Sequence, residues 1–599
     1  MIALASSRIL ELGARLWKGC RLLFPWLPNR KMGYHLRMKM RRTCFMILAA
    51  PLISVAAAQA QTNKACHDAD LVVRDAKIVT MDATRSVAAS MAIRNGRILM
   101  VGATKDIASC IGSYTSVLDL HGQTVLPGLI DIHTHAADWM ARGFRNNVDL
   151  SDPKLRSIED IAKSIAAVAA SSPKGKWIRG SGWSEAKLAE HRYINRKDLD
   201  LASPDNPVWL LQFSGHLAVV NTAALRLAGI TRDTPDPRGG VIDKDETGEP
   251  TGVLKDNAVD VVAALLPPLS SEISVRAVSL ASEAALSSGL TTIHDITSYF
   301  AAYQAAHREG QLKVRVQLSP NVNSITDAEV LAKSGIHTGF GDEFLKLGAA
   351  KMYADGAPSA KTAAVYTPAE GEPGNLGLLI WKPEDLQKAQ HILAAAGWQL
   401  ETHAIGDRAI DEVLDSYQAV MKELGLSEPR FRIEHCAIST PAILQRLREL
   451  HVLVASNPPF VFSFGSRFAK FGPERLRWIF PEKSYLENGI VAGAGSDVPI
   501  TPVNPWLGIS AAVLRRDSQT GQIIVPEERI TILQALEMYT RNGAYIGFEE
   551  AQKGSLEPGK LADFIVIDRD VLSVSSEELK DVKVLKTFVG GELVFESRP

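Results

Sequence analysis

The stretch VLPGLIDIHTH, residues 125–135, carries two histidines one residue apart at the end of an apolar run. The run is typical of a buried strand, and Pro127-Gly128 marks the bend by which the chain enters it. Since successive side chains of a strand point to opposite faces, His133 and His135 point the same way and can together hold one metal ion. Two ordinary core or surface histidines are an equally good interpretation of this stretch alone, so the remaining sequence has to decide.

Composition places the chain among large globular proteins. Its 599 residues are enough for a barrel with accessory domains, and hydrophobic residues make up 46% of them. The formal net charge is −1 and no basic block occurs, which argues against nucleic acid as a partner. The partner expected is a small-molecule substrate, and a homo-oligomer is compatible with this composition.

A secretory signal peptide is predicted inside the chain, over residues 38–60. The stretch MKMRRTCFMILAAPLISVAAAQAQ opens with a basic segment, continues with an apolar segment over residues 44–58, and offers a cleavage site at Ala58-Gln59-Ala60. The apolar segment is short for a membrane span. We therefore expect an exported, periplasmic protein without a stable membrane anchor after cleavage. Residues 1–37 are then an upstream extension included by a wrong start; the alternative is a real extension that forms an amphipathic helix.

Short strands and turns alternate at both ends of the mature chain. Residues 61–126 contain DLVVRDAKIVTM, SMAIRNGRILMVG and SVLDLHGQTVL, with Asn95-Gly96 and His121-Gly122 as turn signals. Residues 553–599 contain KLADFIVIDRD and VKVLKTFVGGELVFE. These segments predict the two halves of one composite β-sandwich domain assembled from both termini.

Between the two halves, short apolar runs alternate with helical stretches, which is typical of a parallel sheet. The runs are GLIDIHTH (128–135), LTTIHDI (290–296), LKVRVQL (312–318), FLKLGAAKMYADG (344–356), WQLETHAIGD (398–407), RFRIEHCAI (430–438), HVLVASNPP (451–459) and GIVAGAGSDVPI (489–500). Eight such strands can close a (β/α)8 TIM-type barrel, which predicts an α/β fold over residues 127–552. The gap after the first strand is too long for a bare loop, so residues 140–285 are expected to hold a folded insertion.

Six metal-competent side chains lie at or near the carboxyl ends of these strands, the face that carries the active site in such barrels. They are His133, His135, Lys351, His403, His435 and Asp497. Their shared position on strands one, four, five, six and eight favours a metal centre over scattered histidines. His294 and Asp295, at the end of the second strand, could support the ligands or be structural, and the structural interpretation is favoured.

At this point the sequence resembles the amidohydrolase superfamily, whose metal ligands these six residues match strand by strand. It is more closely similar to the amidohydrolase family 3 branch, which includes N-substituted formamide deformylases. The resemblance rests on PGLIDIHTH, GSGWSEAKL, FSGHLAVVNTAAL, GEPTGVLKD, KMYADGAPSAKTA, THAIGDRAID, IEHC, GSDVPITPVNPWLGI and GSLEPGKLADFIVID, which span residues 68–597. It implies a metal-dependent hydrolase of an amide-like C–N bond in a small molecule.

The resemblance also implies how the ligands are shared. Its two metals would be held by His133, His135 and Asp497 and by His403 and His435. Lys351 would bridge the metals as a carbamate, because a buried lysine that loses its proton becomes a nucleophile for carbon dioxide. The alternative is an unmodified Lys351 paired with Asp355 or Asp497 beside a single metal. One or two divalent ions are thus the expected cofactors, and the nitrogen and oxygen ligands suit zinc best.

The expected chemistry gives Asp497 and His216 catalytic roles. A bound metal lowers the pKa of its water to about 7, so hydroxide is available at neutral pH. Asp497 would accept that water's proton and return it to the leaving nitrogen. His216, in SGHLAVVN, is a candidate donor to the substrate carbonyl, with an ordinary packed histidine as the equal alternative. Glu434 is predicted to point away from its neighbour His435 and to be structural.

Four further residues are candidates for the substrate pocket: Trp183, Asp355, Lys361 and Asn457. Lys361 and Pro358 stand in the loop after strand four, where family members usually have arginine and leucine. Asn457 stands after strand seven, where they tend to have glutamine. A lysine loses the bidentate fork that arginine offers a carboxylate, so no relative's substrate can be transferred. Trp183 would wall the pocket, with an ordinary core tryptophan as the alternative.

Two other functions stay open at this stage. One is a deaminase or another C–N or C–O hydrolase on the same barrel, which ammonia release would distinguish. The other is a binding protein that keeps the fold without catalysis, which the full set of six ligand-type residues disfavours.

The cysteines give a separate expectation. Export would place Cys66 and Cys110 in an oxidising compartment, where disulfides persist. Cys436 follows His435 inside a barrel strand and is expected to be buried and alone. We therefore predict a Cys66–Cys110 disulfide; the alternative is a terminal thiol and a small core residue.

Overall fold

The computed structural model describes residues 69–598, which fall within one compact unit, His67–Pro599. The strands are β1 Leu71–Arg74, β2 Lys77–Val79, β3 Val87–Ala88, β4 Ser90–Arg94, β5 Arg97–Gly102, β6 Ser116–Asp119, β7 Thr124–Pro127, β8 Leu129–Thr134, β9 Val148–Asp149, β10 Ile178–Trp183, β11 Val208–Gln212, β12 Leu217–Val220, β13 Gly240–Lys244, β14 Pro250–Asp256, β15 Leu290–Ile296, β16 Arg315–Ser319, β17 Leu345–Leu347, β18 Ala350–Tyr353, β19 Leu400–Ala404, β20 Arg432–His435, β21 Leu453–Ser456, β22 Ala492–Ala494, β23 Phe564–Ile567, β24 Val584–Val589 and β25 Glu592–Glu596.

Helices connect and cover these strands. The α-helices are α1 Thr104–Ile107, α2 Ala136–Arg145, α3 Ile158–Ser171, α4 Arg196–Asp200, α5 Thr222–Leu227, α6 Asn257–Ala263, α7 Ser271–Ser287, α8 Phe300–Arg308, α9 Ile325–Lys333, α10 Pro383–Ala395, α11 Asp407–Leu424, α12 Pro441–Glu449, α13 Pro458–Phe468, α14 Pro473–Leu476, α15 Glu482–Glu487, α16 Pro505–Leu514, α17 Ile532–Met538 and α18 Arg541–Ile546. Short 3-10 helices lie at Ala108–Cys110, Glu185–Lys187, Pro358–Ala360, Ala469–Phe471, Pro526–Glu528 and Ser576–Asp581.

Each of the eight apolar runs contains a strand, which confirms the strands predicted between the two ends of the chain. The first three runs give β8, β15 and β16, and the last four give β19, β20, β21 and β22; the fourth run gives two strands, β17 and β18. All of them pair in parallel, because the connecting helices return the chain to the same end of the sheet. The side chains of β8, β15 and β19 are buried on both faces, as continuous apolar runs require, whereas those of β17 are only half-buried.

Strand pairing gives two parallel sheets, with the orders β17-β16-β15-β8 and β18-β19-β20-β21-β22. Two backbone hydrogen bonds join them at each end. Lys351 N donates to Pro320 O over 2.9 Å and Val322 N to Lys351 O over 2.8 Å; Asp497 N donates to His133 O over 2.8 Å and His135 N to Val498 O over 3.0 Å. A continuous ladder around all the strands is not formed, so the closed barrel stays a prediction. The parallel direction nevertheless brings the carboxyl ends of the strands in each sheet to one edge.

A third sheet fills the interval between β8 and β15, where the loop-length argument predicts an insertion. Its order is β13-β14-β12-β11-β10-β9, and residues 148–256 supply all of its strands. Two hydrophobic clusters of its own surround it. Helix α7, most of which also lies between residues 140 and 285, instead packs Val278, Ala281 and Ala285 into the cluster of the parallel sheets.

Strands from both ends of the chain share a sheet of order β25-β24-β23-β7-β2-β3. A four-stranded sheet of order β5-β4-β1-β6 lies against it through a common cluster that includes Val73, Ile93 and Phe564. The rings of Phe564 and Phe588 stack with centroids 4.3 Å apart inside this cluster. A separate β-sandwich domain stays a prediction, because the described residues form one compact unit.

Several predictions for the first residues lie outside the described part of the chain. These are the extension over residues 1–37, the signal peptide over 38–60, and Cys66. Cys110 is fully buried and takes part in a disulfide bond, whereas Cys436 is a free buried cysteine. The Cys66–Cys110 pairing therefore stays a prediction. Among residues 69–598, no helix has the length and apolar character that a membrane span needs.

Candidate metal centre

Three of the predicted ligands meet at the exits of β8 and β22. The Nε2 atoms of His133 and His135 lie 3.3 and 3.4 Å from Oδ1 of Asp497. One ligand atom from each of the three residues falls within 4.8 Å of the others, which is close enough for one ion. Gly495 permits this approach, because a Cβ at that position would lie 2.6 Å from Cβ of His133.

The other two histidines complete a cluster of four imidazoles. His435, at the end of β20, has its ring centroid 4.8 Å from that of His133. His403, on β19, lies 4.5 Å from His435 by the same measure. Burial and the neighbouring imidazoles hold the pKa of His403 well below its usual range and lower that of His435 to about 3. Neutral imidazoles are the form that binds a metal.

Hydrogen bonds on the outer side of these rings fix their orientation. His133 donates from Nδ1 to Glu434, His135 to the carbonyl of Ile296 over 3.2 Å, and His435 to Oδ1 of Asn457 over 2.6 Å. Each bond places the proton on Nδ1 and leaves the lone pair of Nε2 facing inward, as the outer hydrogen-bond partners of metal-binding histidines do.

Asn457 and Asp355 support these rings rather than contact the cavity, so their prediction as pocket residues is wrong. The Asn457 amide donates to Gly495 O over 2.9 Å, which turns its oxygen towards His435. Asp355 accepts hydrogen bonds from the backbone N–H groups of Ala364, Ile405 and Gly406, and it is fully buried. Its Oδ1 lies 3.4 Å from Nε2 of His403, which leaves Nδ1 of that ring for a metal.

Lys351 enters the centre from β18 as a buried amine without a hydrogen-bond partner, with Nζ 4.8 Å from the ring centroid of Tyr353. The residue is 0% exposed, and no atom of the described residues accepts a hydrogen bond from its Nζ. Neither Asp355 nor Asp497 forms an ion pair with it, contrary to the single-metal alternative. Burial lowers the pKa of Lys351, although Glu434, Glu401 and Asp497 oppose this shift. A buried amine without a hydrogen-bond partner therefore lies among the four imidazoles.

Glu434 contacts the metal centre directly, whereas the sequence predicts that it points away from His435. Strict alternation along β20 would send Glu434 and His435 to opposite faces. The strand ends at His435, where the backbone turns into the left-handed region with φ of 67°. Both side chains therefore reach the same centre, and Glu434 accepts from His133 while it pairs with Arg432 over 2.7 Å. Its signal in the sequence is the pair Arg432-x-Glu434, since residues two apart share a strand face.

His294 and Asp295 form hydrogen bonds beside the metal centre. Nδ1 of His294 lies 3.1 Å from the guanidinium of Arg432. The Asp295 carboxylate accepts from the hydroxyls of Thr134 and Tyr303 over 2.9 and 2.8 Å, and also from a backbone N–H of α2. These bonds tie the end of β8 to β15 and so hold the first histidine pair in place.

A cavity of about 770 Å³ opens from the centre towards the third sheet. His216 lines it, with its ring centroid 5.0 Å from that of His403 and its Nδ1 2.8 Å from Oδ1 of Asp256. Lys361 and Pro358 line it as well, and Nζ of Lys361 lies 3.5 Å from Glu372.

One wall of this cavity is aromatic, and the sequence argument overlooks it. Phe460, Phe464 and Phe468 recur every four residues along α13, which places them on one helix face. The ring centroids of Phe460 and Phe464 are 5.5 Å apart, and the ring of Phe213, in the turn after β11, lies 5.4 Å from that of Phe464. Trp183 takes no part in the wall. It is 1% exposed, packs in a core cluster of the third sheet and donates to Leu210 O, so its prediction as a pocket wall is wrong.

Comparisons with known proteins agree with this arrangement. The model of a family described as the amidohydrolase family matches residues 116–595. The N-substituted formamide deformylase of Arthrobacter pascens is 30% identical over 540 residues, which cover 88% of this chain and 98% of that protein. The protein LONG AFTER FAR-RED 3 of Arabidopsis thaliana is 32% identical over 552 residues, which cover 88% and 92%. The solved structure of an uncharacterized metal-dependent hydrolase from Pyrococcus horikoshii OT3 superposes with a TM-score of 0.68 at 26% identity and covers 85% of this chain and 99% of its own.

Proposed function

The chain belongs to the amidohydrolase family, and from that premise we propose that it is a metal-dependent hydrolase that cleaves an amide-like C–N bond in a small molecule. The observation that carries the proposal is the convergence of four oriented imidazoles with Asp497 and an unpartnered buried lysine at one end of a cavity. The name of the Arthrobacter relative, a formamide deformylase, supports the C–N bond as the target.

The finer parts of the proposal follow from the donor set. His133, His135 and Asp497 would hold one divalent ion, and His403 and His435 would hold a second, with carboxylated Lys351 between them. Nitrogen and oxygen donors of this kind suit zinc. The two parallel sheets would then be two parts of one (β/α)8 barrel with the centre at its carboxyl end. The predicted signal peptide over residues 38–60 supports export to the periplasm as the place where the enzyme acts.

The chain's own residues would perform the proton transfers. A bound metal supplies Lewis-acid activation of water and of the scissile carbonyl. Asp497 takes a proton from the attacking water at a carboxylate oxygen and passes it to the leaving nitrogen as the C–N bond breaks. The Asp256 carboxylate orients the His216 ring through Nδ1, so that Nε2 would face the carbonyl oxygen as a hydrogen-bond donor. The phenylalanine wall favours a substrate with an aromatic or other bulky apolar group.

Metal content is the first test. We expect purified protein to carry up to two transition-metal ions, because six ligand-type side chains surround one centre. Elemental analysis measures the stoichiometry, and a panel of N-formyl and N-acyl amides measures hydrolysis before and after chelation. An exposed group of Asp75, Asp119 and His121 also brings ligand atoms within 4.8 Å of one another. His121→Gln is therefore the control, and it should leave the metal content unchanged.

Three outcomes would contradict this proposal. Folded protein that holds no metal and regains no activity with zinc or manganese would exclude a metal-dependent hydrolase. Ammonia release without an acid product would identify a deaminase instead. Metal binding with no turnover on any substrate would favour a binding protein.

His216→Gln is expected to lower kcat about a hundredfold while the metal content stays the same, since the variant removes one charge-stabilising donor from the carbonyl. Asp256→Asn should act in the same direction by removing the partner of Nδ1. Steady-state kinetics and metal analysis check both variants. His391→Gln, at a half-exposed histidine near Glu423, is the matched control. An unchanged kcat in His216→Gln would show that this histidine only packs against His403.

A further inference from the structure

A second cavity, of about 590 Å³, lies between α2, the third sheet and α8. It is a different space from the one at the metal centre and shares only Arg142 and Leu211 with it. Helix α2 begins directly after His135 and ends at Arg145. Its charged residues in the last turn, Arg142 and Arg145, therefore lie at the end of the helix away from the metal centre.

The charges on the wall of this cavity do not balance. Arg142, Arg145 and Arg179 line it, and Asp138 is the one acidic residue among its lining residues. Asp138 is already shared, because Arg142 Nε donates to it over 2.8 Å and Arg145 donates to its other oxygen. The wall therefore carries a net charge of +2 from these four residues.

Arg179 is the group that most needs a counter-charge. The residue is 7% exposed, and it forms no ion pair with any described residue. Its guanidinium donates to the carbonyl of Pro267 over 2.7 Å, a neutral acceptor. Burial and the positive charge of Arg145 lower the pKa of Arg179. A buried guanidinium without a carboxylate is costly unless an anion comes to it.

The remainder of the wall is largely apolar. Trp209, Leu266 and Val275 line it together with Pro267 and Pro268. The volume falls in the range of small-molecule sites, which combine an apolar lining with a few oriented polar groups. The planar fork of arginine matches carboxylate and phosphate groups bidentately.

We propose that this cavity is a binding site for a small organic anion, with a carboxylate or phosphate group held by Arg145 and Arg179 and an apolar body against Trp209 and Leu266. The site is independent of the hydrolase proposal. A ligand here would neutralise the excess charge of the wall and fill space that the metal centre does not use.

Benzoate and inorganic phosphate are the probes, measured by isothermal titration calorimetry on the full-length protein with its metal. Removing one arginine of the pair takes away a charge-assisted hydrogen bond. We therefore expect Arg179→Gln and Arg145→Gln each to weaken binding of the better probe at least about tenfold. Arg226→Gln removes the same charge from the exposed surface of α5 and should leave the affinity unchanged. If Arg179→Gln does not fold, Arg145→Gln alone decides, since it leaves Asp138 paired with Arg142.

Two further measurements distinguish binding at this site from binding at the metal centre. Binding should survive removal of the metal by chelation, because no predicted metal ligand lines the second cavity. In crystals soaked with 4-bromobenzoate, anomalous density for bromine should lie near Trp209. Preference for benzoate or for phosphate identifies the head group, and either preference supports the proposal. The proposal is overturned if both arginine variants bind like the wild type or if chelation abolishes binding. It is also overturned if neither probe binds with a dissociation constant below about 10 mM.

Discussion

Asp497→Asn is expected to lower turnover by about a hundredfold or more while the protein stays folded and keeps its secondary structure. The carboxylate lies 3.3 and 3.4 Å from the inward nitrogens of His133 and His135, so it is placed both to bind metal and to exchange a proton. Burial alone would raise the pKa of Asp497, but the two imidazoles hold it well below its usual range. An amide of the same shape can still accept one hydrogen bond, but it cannot carry a proton from water to the leaving nitrogen.

Folding is not expected to suffer, because the bonds that hold this segment come from its backbone. Asp497 N donates to His133 O, and Asp497 O accepts from Ile500 N; the variant keeps both. Steady-state kinetics, thermal melting and metal analysis together check the prediction. Asp233→Asn, at an exposed loop residue, makes the same chemical change away from the centre and should be neutral. Near-normal turnover in Asp497→Asn would exclude the proton-transfer role.

The strands of the two parallel sheets were predictable because they are buried on both faces. Such strands become uninterrupted apolar runs, and a histidine at the end of each run stands out against them. Parallel pairing then brings the ends of the runs together without any further information. This is why His133, His403 and His435 could be grouped from sequence although hundreds of residues separate them.

Side chains that act through a neighbour were harder to place. Strand alternation alone directs Glu434 away from His435, but the left-handed backbone at His435 breaks that alternation. The sequence predicts that Asn457 and Asp355 follow strands and face the substrate. In the structure each side chain instead turns inward and contacts a histidine. A sequence gives the position of a loop residue but not the direction of its side chain.

The arginine-rich cavity could not be found from the sequence at all. Its charges come from α2 and β10, which are distant in the chain, and its apolar wall comes from further elements. No spacing rule joins them, because their meeting depends on how the third sheet packs beside the parallel sheets. Uneven charge in a buried space becomes visible only when burial and ion pairs are known residue by residue.

Lys351→Ala is expected to lose metal and to lower turnover by at least about a hundredfold, because it removes the group that would bridge two ions. The amine of Lys351 is fully buried and has no hydrogen-bond partner, so its removal breaks no ion pair. Short carboxylic acids such as acetate should restore part of both losses by supplying the two oxygens of a carbamate. Elemental analysis and kinetics, with and without added acid, measure the effect.

The modification itself has a direct test in the wild-type protein. Metal-free protein reconstituted without bicarbonate should recover less metal and less activity than protein reconstituted with it. With ¹³C-bicarbonate, a carbamate carbon should appear in the NMR spectrum of the wild type and be missing in Lys351→Ala. Lys553→Ala is the matched control, because Lys553 is also buried but forms an ion pair with Glu549 over 2.9 Å. Loss of that pair should lower stability without changing the metal stoichiometry. A bare amine in the wild type, with metal uptake indifferent to bicarbonate, would replace the bridged pair with a single-metal centre.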